Sequence, residues 1–123
     1  MFPINGLVDE VLWGYIQAIL WAESDDNDDP LEKNYTFESF APESMAAMRK
    51  DCSRFLAQNA ADIGDRLEEA GSDLWLTRNE HGSGFWDGDW EDAGQRLTDA
   101  SKKCGLRYAY LAGGKIHVEG ATG

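Results

Sequence analysis

The densest run of chemically versatile side chains is Asp73 to Trp90, DLWLTRNEHGSGFWDGDW. It gathers three of the five tryptophans, three glycines and one of the two histidines. Three chemistries fit such a set. His81 as general base, oriented by Asp87, with Arg78 stabilising an anion, makes a small acid–base site; with Asn79 the same turn suits a nucleotide. His81, Asp87, Asp89 and Glu91 offer one nitrogen and several oxygens to a metal. Trp75 and Trp86 beside Arg78, Asn79 and His81 have the composition of an interface hot spot.

The first two readings lack support elsewhere in the chain. There is no nucleophile elbow, phosphate loop or zinc-protease spacing. Ser83 near His81 does not by itself make a dyad, and carboxylates just before a helix more simply cap it. Two acidic runs also fail as calcium loops. Asp25-x-Asn27-x-Asp29 has Pro30 at the position needing glycine and Thr36 at the closing position, and Asp87-x-Asp89-x-Glu91 lacks the closing carboxylate. The favoured reading of the segment is a binding surface, with no catalytic residue, metal or cofactor. A plain turn bonding its own backbone is the bland alternative.

These residues must be positioned by the elements around them. Asn5 can cap a helix from about Gly6 to Ala22, with Val8, Val11, Leu12, Tyr15, Ile19 and Trp21 near helical spacing. Trp13, Ile16 and Leu20 add apolar surface on its other faces, so this helix is central or held by a partner. Residues 24–34 form an acidic loop, Tyr35 to Phe37 a short extended piece, and Phe37 and Phe40 its anchors. Pro42 and Glu43 open a second helix. Its stripe of Met45, Met48, Cys52, Phe55, Leu56, Ile63 and Leu67 carries it to Ala70, with Gly71 as its cap and Gly64 as a bend. Asn59 falls on that stripe and needs a hydrogen-bond partner. Asp73 to Arg78 reads as a strand, His81 to Gly84 as a turn and Phe85-Trp86 as a returning strand. A third helix spans Trp90 to Cys104, capped by Asp87 or Asp89. A second hairpin pairs Arg107–Leu111 with Lys115–Glu119 around Gly113-Gly114, and 120–123 is a frayed tail. The fold class is α+β, one domain in the order α-α-β-β-α-β-β, helices packed on a small antiparallel sheet.

The 123 residues suit one domain with a core of its own. The net charge is −12, from 23 acids against 11 bases. Residues 1–48 hold ten acids and one base, Lys33. Such a surface repels phosphate, which disfavours direct nucleic-acid binding, and attracts basic protein surfaces. The longest apolar-rich stretch, Leu7 to Ala22, contains Asp9, Glu10 and Gln17, so no membrane span is expected. With Cys52 and Cys104 far apart and no signal peptide at the start, the expected location is the cytoplasm, thiols reduced.

The run Leu76-Thr77-Arg78-Asn79, His81-Gly82, Gly84-Phe85-Trp86-Asp87 resembles a segment found in uncharacterised small acidic proteins encoded by bacteriophages and other mobile elements. The resemblance extends over most of the chain. It departs at Gly88, where a basic residue is expected. It implies a phage or mobile-element setting inside a host cell and brings no activity with it. Taken with the charge asymmetry, it points to a protein-binding protein whose partner is a host protein with a basic surface. The sharper form is a DNA-mimicking inhibitor of a host DNA-directed or defence system. Its contact charges are Asp9, Glu10, Glu23, Asp25, Asp26, Asp28, Asp29 and Glu32. The alternatives are the small enzyme or nucleotide-binding protein built on Arg78, Asn79, His81 and Asp87, and an assembly role through a homodimer.

Overall fold

The computed structural model describes residues 1–120; the expected tail lies outside the described residues beyond Gly120. Among them are four α-helices: α1 (Leu7–Ala22), α2 (Pro42–Ile63), α3 (Leu67–Arg78) and α4 (Ala93–Lys103). Strands β1 (Arg107–Ala112) and β2 (Lys115–Gly120) form one antiparallel pair. The class is therefore α+β, with the order corrected to four helices followed by one hairpin.

α1 is the central element. Val11, Leu12, Tyr15, Ile16, Ala18 and Ile19 are all fully buried. Its apolar residues cover nearly every face because neighbouring elements surround most of it, with Leu7 and Trp21 left exposed at its two ends. α3 lies against it at glycine contacts. A Cβ on Gly14 would stand 1.9 Å from the Glu68 carbonyl oxygen, and one on Gly71 1.8 Å from that of Val11. Gly71 is thus not the cap of α2. It sits inside α3, where only a missing side chain lets the two backbones approach so closely.

α2 begins at Pro42 as expected but stops at Ile63, with Gly64 at φ 60°. It leaves helical geometry at Asn59 (φ −129°, ψ 20°). The Asn59 amide donates to the Phe55 carbonyl at 2.9 Å, which supplies the partner its place on the stripe demands.

The expected hairpin over 73–86 is absent. Asp73 to Arg78 is the second half of α3, and Phe85–Asp87 is a single 3₁₀ turn. The reason is burial on every side. Leu74, Trp75, Leu76 and Thr77 are 0–5 % exposed, so the run is apolar without a break. Such a run carries no period that distinguishes a buried strand from a buried helix. Residues 37–39 likewise form a 3₁₀ turn, capped by Thr36, instead of an extended piece.

The C-terminal hairpin forms as read. Gly113 and Gly114, at φ 60° and 77°, make the two-residue turn that both positions with positive φ require. Ile116 and Val118 point inward, while Tyr110 stacks on His117 at 5.0 Å on the outer face. The free edge of β2 is covered: Ala41 N–H donates to the Ile116 carbonyl at 2.9 Å, and Val118 N–H donates to Ser44 Oγ at 2.9 Å.

Candidate protein-binding face

The versatile segment divides into an inward and an outward half. Arg78 is 1 % exposed. Its Nη1 donates to Asp51 Oδ2 at 2.8 Å and to the Tyr15 hydroxyl at 3.2 Å. Its Nε and Nη2 donate to the Gly105 and Cys104 carbonyls at 2.8 and 2.7 Å. Asp51 also accepts from Arg107 Nε at 2.5 Å. Arg78 is therefore a core group joining four segments. Burial pushes the Tyr15 hydroxyl and the Cys52 thiol beside this cluster well above their ordinary values, so both stay protonated. Trp75 is fully buried too, edge-on to Tyr15 at 5.3 Å. Asn79 bridges inward, its amide donating to the Trp75 carbonyl and its Oδ1 accepting from Arg107 N–H at 2.9 Å. Arg78 and Trp75 offer no free polar face to a partner or substrate, and Asn79 is half-buried with its oxygen and one N–H bonded inward.

The outward half is a loop fixed by its own polar groups. Glu80 N–H closes a turn on the Thr77 carbonyl, and His81 N–H one on Leu76. Thr77 Oγ1 accepts from Phe85 N–H at 3.1 Å, and Asp87 accepts from Gly84 N–H at 3.0 Å. Gly84 (φ 148°) passes so close to Thr77 that a Cβ would lie 2.1 Å from its hydroxyl oxygen. Glu80 and Glu91, at φ 59° and 50°, hold the left-handed conformation at the two ends of the loop. Non-glycine residues there cost on the order of 1 kcal/mol each. Asp87 closes its own turn and does not orient His81. Neither Asp87 nor Asp89 caps α4; Asp92 precedes it, without a side-chain cap. Among the described residues, no three His, Cys, Asp or Glu side chains are placed to hold a metal ion. Trp86 stands 42 % exposed.

His81 reaches another part of the chain. Its Nε2 lies 2.6 Å from Glu23 Oε2, and the same oxygen accepts from Trp75 Nε1 at 2.9 Å. Glu23 is the residue after α1, at the foot of the acidic loop. This contact joins the base of that loop to the motif segment. It also commits Glu23 to a structural bond, as Arg49 does for Asp9, whose side chain is only 11 % exposed. The Arg49 hydrogen bond holds the Asp9 carboxyl below its ordinary value. Asp9 and Glu23 therefore leave the set of surface contact charges.

The loop itself keeps its carboxylates in the open. Asp26, Asp28 and Glu32 are exposed, and Asp25 and Asp29 half-buried. Asp25 Oδ1 accepts from Asn27 N–H at 2.8 Å and Asp29 N–H at 3.1 Å, an Asx turn that shapes the tip. Leu31, 3 % exposed, plugs the loop into the core. Ser24 and Pro30 pair as a short bridge at its neck. Lys33 meets Asp29 at 3.2 Å. Trp21, two residues before Glu23, is 49 % exposed. Sequence reading places Trp21 in the apolar stripe; its position on the last turn of α1, beside the polar run, is the signal that it faces out.

No protein-family model, curated protein or solved structure matches this chain.

Proposed function

We propose that the chain works by binding a positively charged protein through the loop 24–34 and the exposed indole of Trp21. The observation that carries this reading is a preformed loop presenting Asp25, Asp26, Asp28, Asp29 and Glu32 with Lys33 as the one cation within it. A rigid anionic surface accelerates encounter with a basic partner and loses little entropy on docking. Trp21 adds an aromatic anchor beside the charges, the pairing of residue types that dominates interface energy. Trp86 extends the apolar component on the loop that His81 fastens to Glu23.

In its sharper form the partner is a host DNA-directed or defence protein, and the carboxylates take the place of DNA phosphates in a basic cleft. The resemblance to mobile-element proteins and the crowding of acid into the first part of the chain support this form. No reading as an enzyme gains support from Arg78, whose polar groups are consumed inside the molecule, or from Asn79, which is half-buried and bonded inward.

The test is an affinity capture from bacterial lysate washed at two salt concentrations, followed by titration of the captured protein. A specific partner released between about 0.1 and 0.5 M salt is expected. Replacing Asp25, Asp26, Asp28 and Asp29 by Asn, with Glu32→Gln, should abolish capture. Capture that survives both the salt wash and these substitutions rules the proposal out.

A further inference from the structure

One edge of the sheet has no neighbour. β1 pairs with β2 alone, and among the described residues no strand or bridge lies on its other side. The register identifies the groups that point there. Ile116 turns its carbonyl to Ala41 N–H at 2.9 Å, and Val118 its N–H to Ser44 Oγ at 2.9 Å, both away from β1. Residues directly opposite in an antiparallel pair turn their backbone groups either toward each other or both away. Leu111 and Ala109, opposite Ile116 and Val118, therefore direct N–H and C=O out of the open edge. Arg107, further along it, has its N–H bonded to Asn79 Oδ1 at 2.9 Å. Ala109 and Leu111 meet no such partner among the described residues.

This edge lacks the devices that keep strands apart. From Tyr108 to Ala112 it has no proline, charge or bulge. Leu106, Tyr108 and Tyr110 are 59 %, 58 % and 38 % exposed. Residues 100–118 carry four bases (Lys102, Lys103, Arg107, Lys115) and no acid, in a chain of net charge −12. Two copies can thus approach here without opposing carboxylates on the strand itself. The acids that act on Tyr110 are Glu119, on β2, and Glu43, on the turn of α2 that covers the far edge of β2. Exposed Glu80, beside Asn79, stands at the Arg107 end.

We propose that β1 pairs antiparallel with β1 of a second copy across a two-fold axis at Tyr110, joining two hairpins into one four-stranded sheet. The unpaired groups set this register. It places Ala109 opposite Leu111 of the second copy, where they exchange N–H···O bonds, and symmetry repeats the exchange. Moving the axis to Ala109 would put Leu111 against Arg107, whose N–H is taken; moving it to Leu111 would put Ala109 against Gly113 in the turn. With the axis at Tyr110, the Arg107 end filled by Asn79 meets the Gly113-Gly114 turn of the second copy, which brings no side chain. On the outer face Tyr110 meets its own copy and extends the Tyr110–His117 stack of 5.0 Å across the seam. Charges complement each other there as well: Glu119, Tyr108, then Ala112 and Lys115 of the second copy fall in one row.

Sedimentation equilibrium of the full chain tests the pairing. The short seam implies a weak dimer, Kd on the order of 100 µM. Raising salt from about 0.1 to 0.5 M should tighten it at least about twofold by screening repulsion between the acidic bodies. Salt acts in the opposite sense on capture by loop 24–34, so the two surfaces are tested separately. Ala109→Pro removes an N–H that points away from β2, keeps the hairpin bonds, and should weaken the dimer at least about tenfold. Location is read by cross-linking under mild oxidant. Tyr110→Cys places the new thiols on the axis, about 4.5 Å apart at Cα, within disulfide reach. Tyr108→Cys places them about 13 Å apart, beyond it. Rapid dimeric cross-linking of the first and not the second is expected. A monomer at about 1 mM chain and 0.5 M salt, a dimer indifferent to a folded Ala109→Pro, or equal cross-linking at 108 and 110 would each overturn the proposal.

Discussion

Asp51 has two oxygens and two buried guanidiniums to satisfy with them, through bonds of 2.8 Å to Arg78 and 2.5 Å to Arg107. Removing the carboxylate leaves two desolvated cations unpaired. Asp51→Asn should therefore cost about 3–5 kcal/mol, a large part of a small domain's whole stability. Arg107→Met should cost less, because it leaves a one-to-one Asp51–Arg78 pair. Urea unfolding of both variants checks the order, and equal losses would contradict it. Asp73 behaves in the opposite sense. Burial, then repulsion from Asp87, Glu69 and Asp89, raises its carboxyl above the ordinary value, against the hydrogen bond from Trp90 Nε1 at 2.7 Å. The folded state then holds this proton more tightly than the unfolded chain. Its contribution favours folding at low pH and is lost as pH rises through the raised value. Asp73→Asn keeps an oxygen for Trp90 and removes the charge. It should melt higher than the parent at pH 7, the gap closing below about pH 4. At this scale the sequence named the chemically capable residues but not their direction. Nothing local says that Arg78 turns inward; that depends on Asp51 and Arg107, both distant in sequence.

The contact of α1 with α3 rests on two absent side chains. Gly71→Ala gains helix propensity of about 1 kcal/mol, but its methyl would meet the Val11 carbonyl oxygen at 1.8 Å. The displacement should win, for a net loss of about 1–3 kcal/mol in urea unfolding; a stabilised variant would show that the helices separate without cost. Gly14→Ala should behave alike. Elements with a clear period or a clear turn were legible beforehand: α1, the start of α2 at Pro42, and the hairpin around Gly113-Gly114. α3 was not, since an apolar run buried on all sides has no polar face to reveal its period. Gly71 compounded the error, because a glycine after a helical stripe has the same spelling whether it caps a helix or admits a neighbour. The outward loop after α3 was legible as a turn, while its link to Glu23 was not, lying 58 residues away.

At the scale of the whole molecule the charge is uneven: ten of the 23 acids and one of the 11 bases fall in residues 1–48, and carboxylates crowd the loop after α1. The loop's shape comes from Leu31, the Ser24–Pro30 bridge and the Asx turn, of which only the last uses a carboxylate. Asparagine can reproduce that acceptor. Neutralising all five loop acids should thus leave the melting temperature within about 3 °C of the parent, or raise it by relieving self-repulsion. A thermal scan decides, and a collapse would mean that the acids serve the fold. No helix among the described residues is long and apolar enough to cross a membrane. The shared carboxylate of Asp51 has one more consequence, for the order in which the chain is made. Synthesis delivers Asp51 first, then Arg78, and Arg107 last. The four helices emerge with a balanced acid–base couple at their centre, and the surplus cation enters only when the final hairpin is added. A chain halted just before Arg107 would keep the neutral couple and lack the second guanidinium on Asp51.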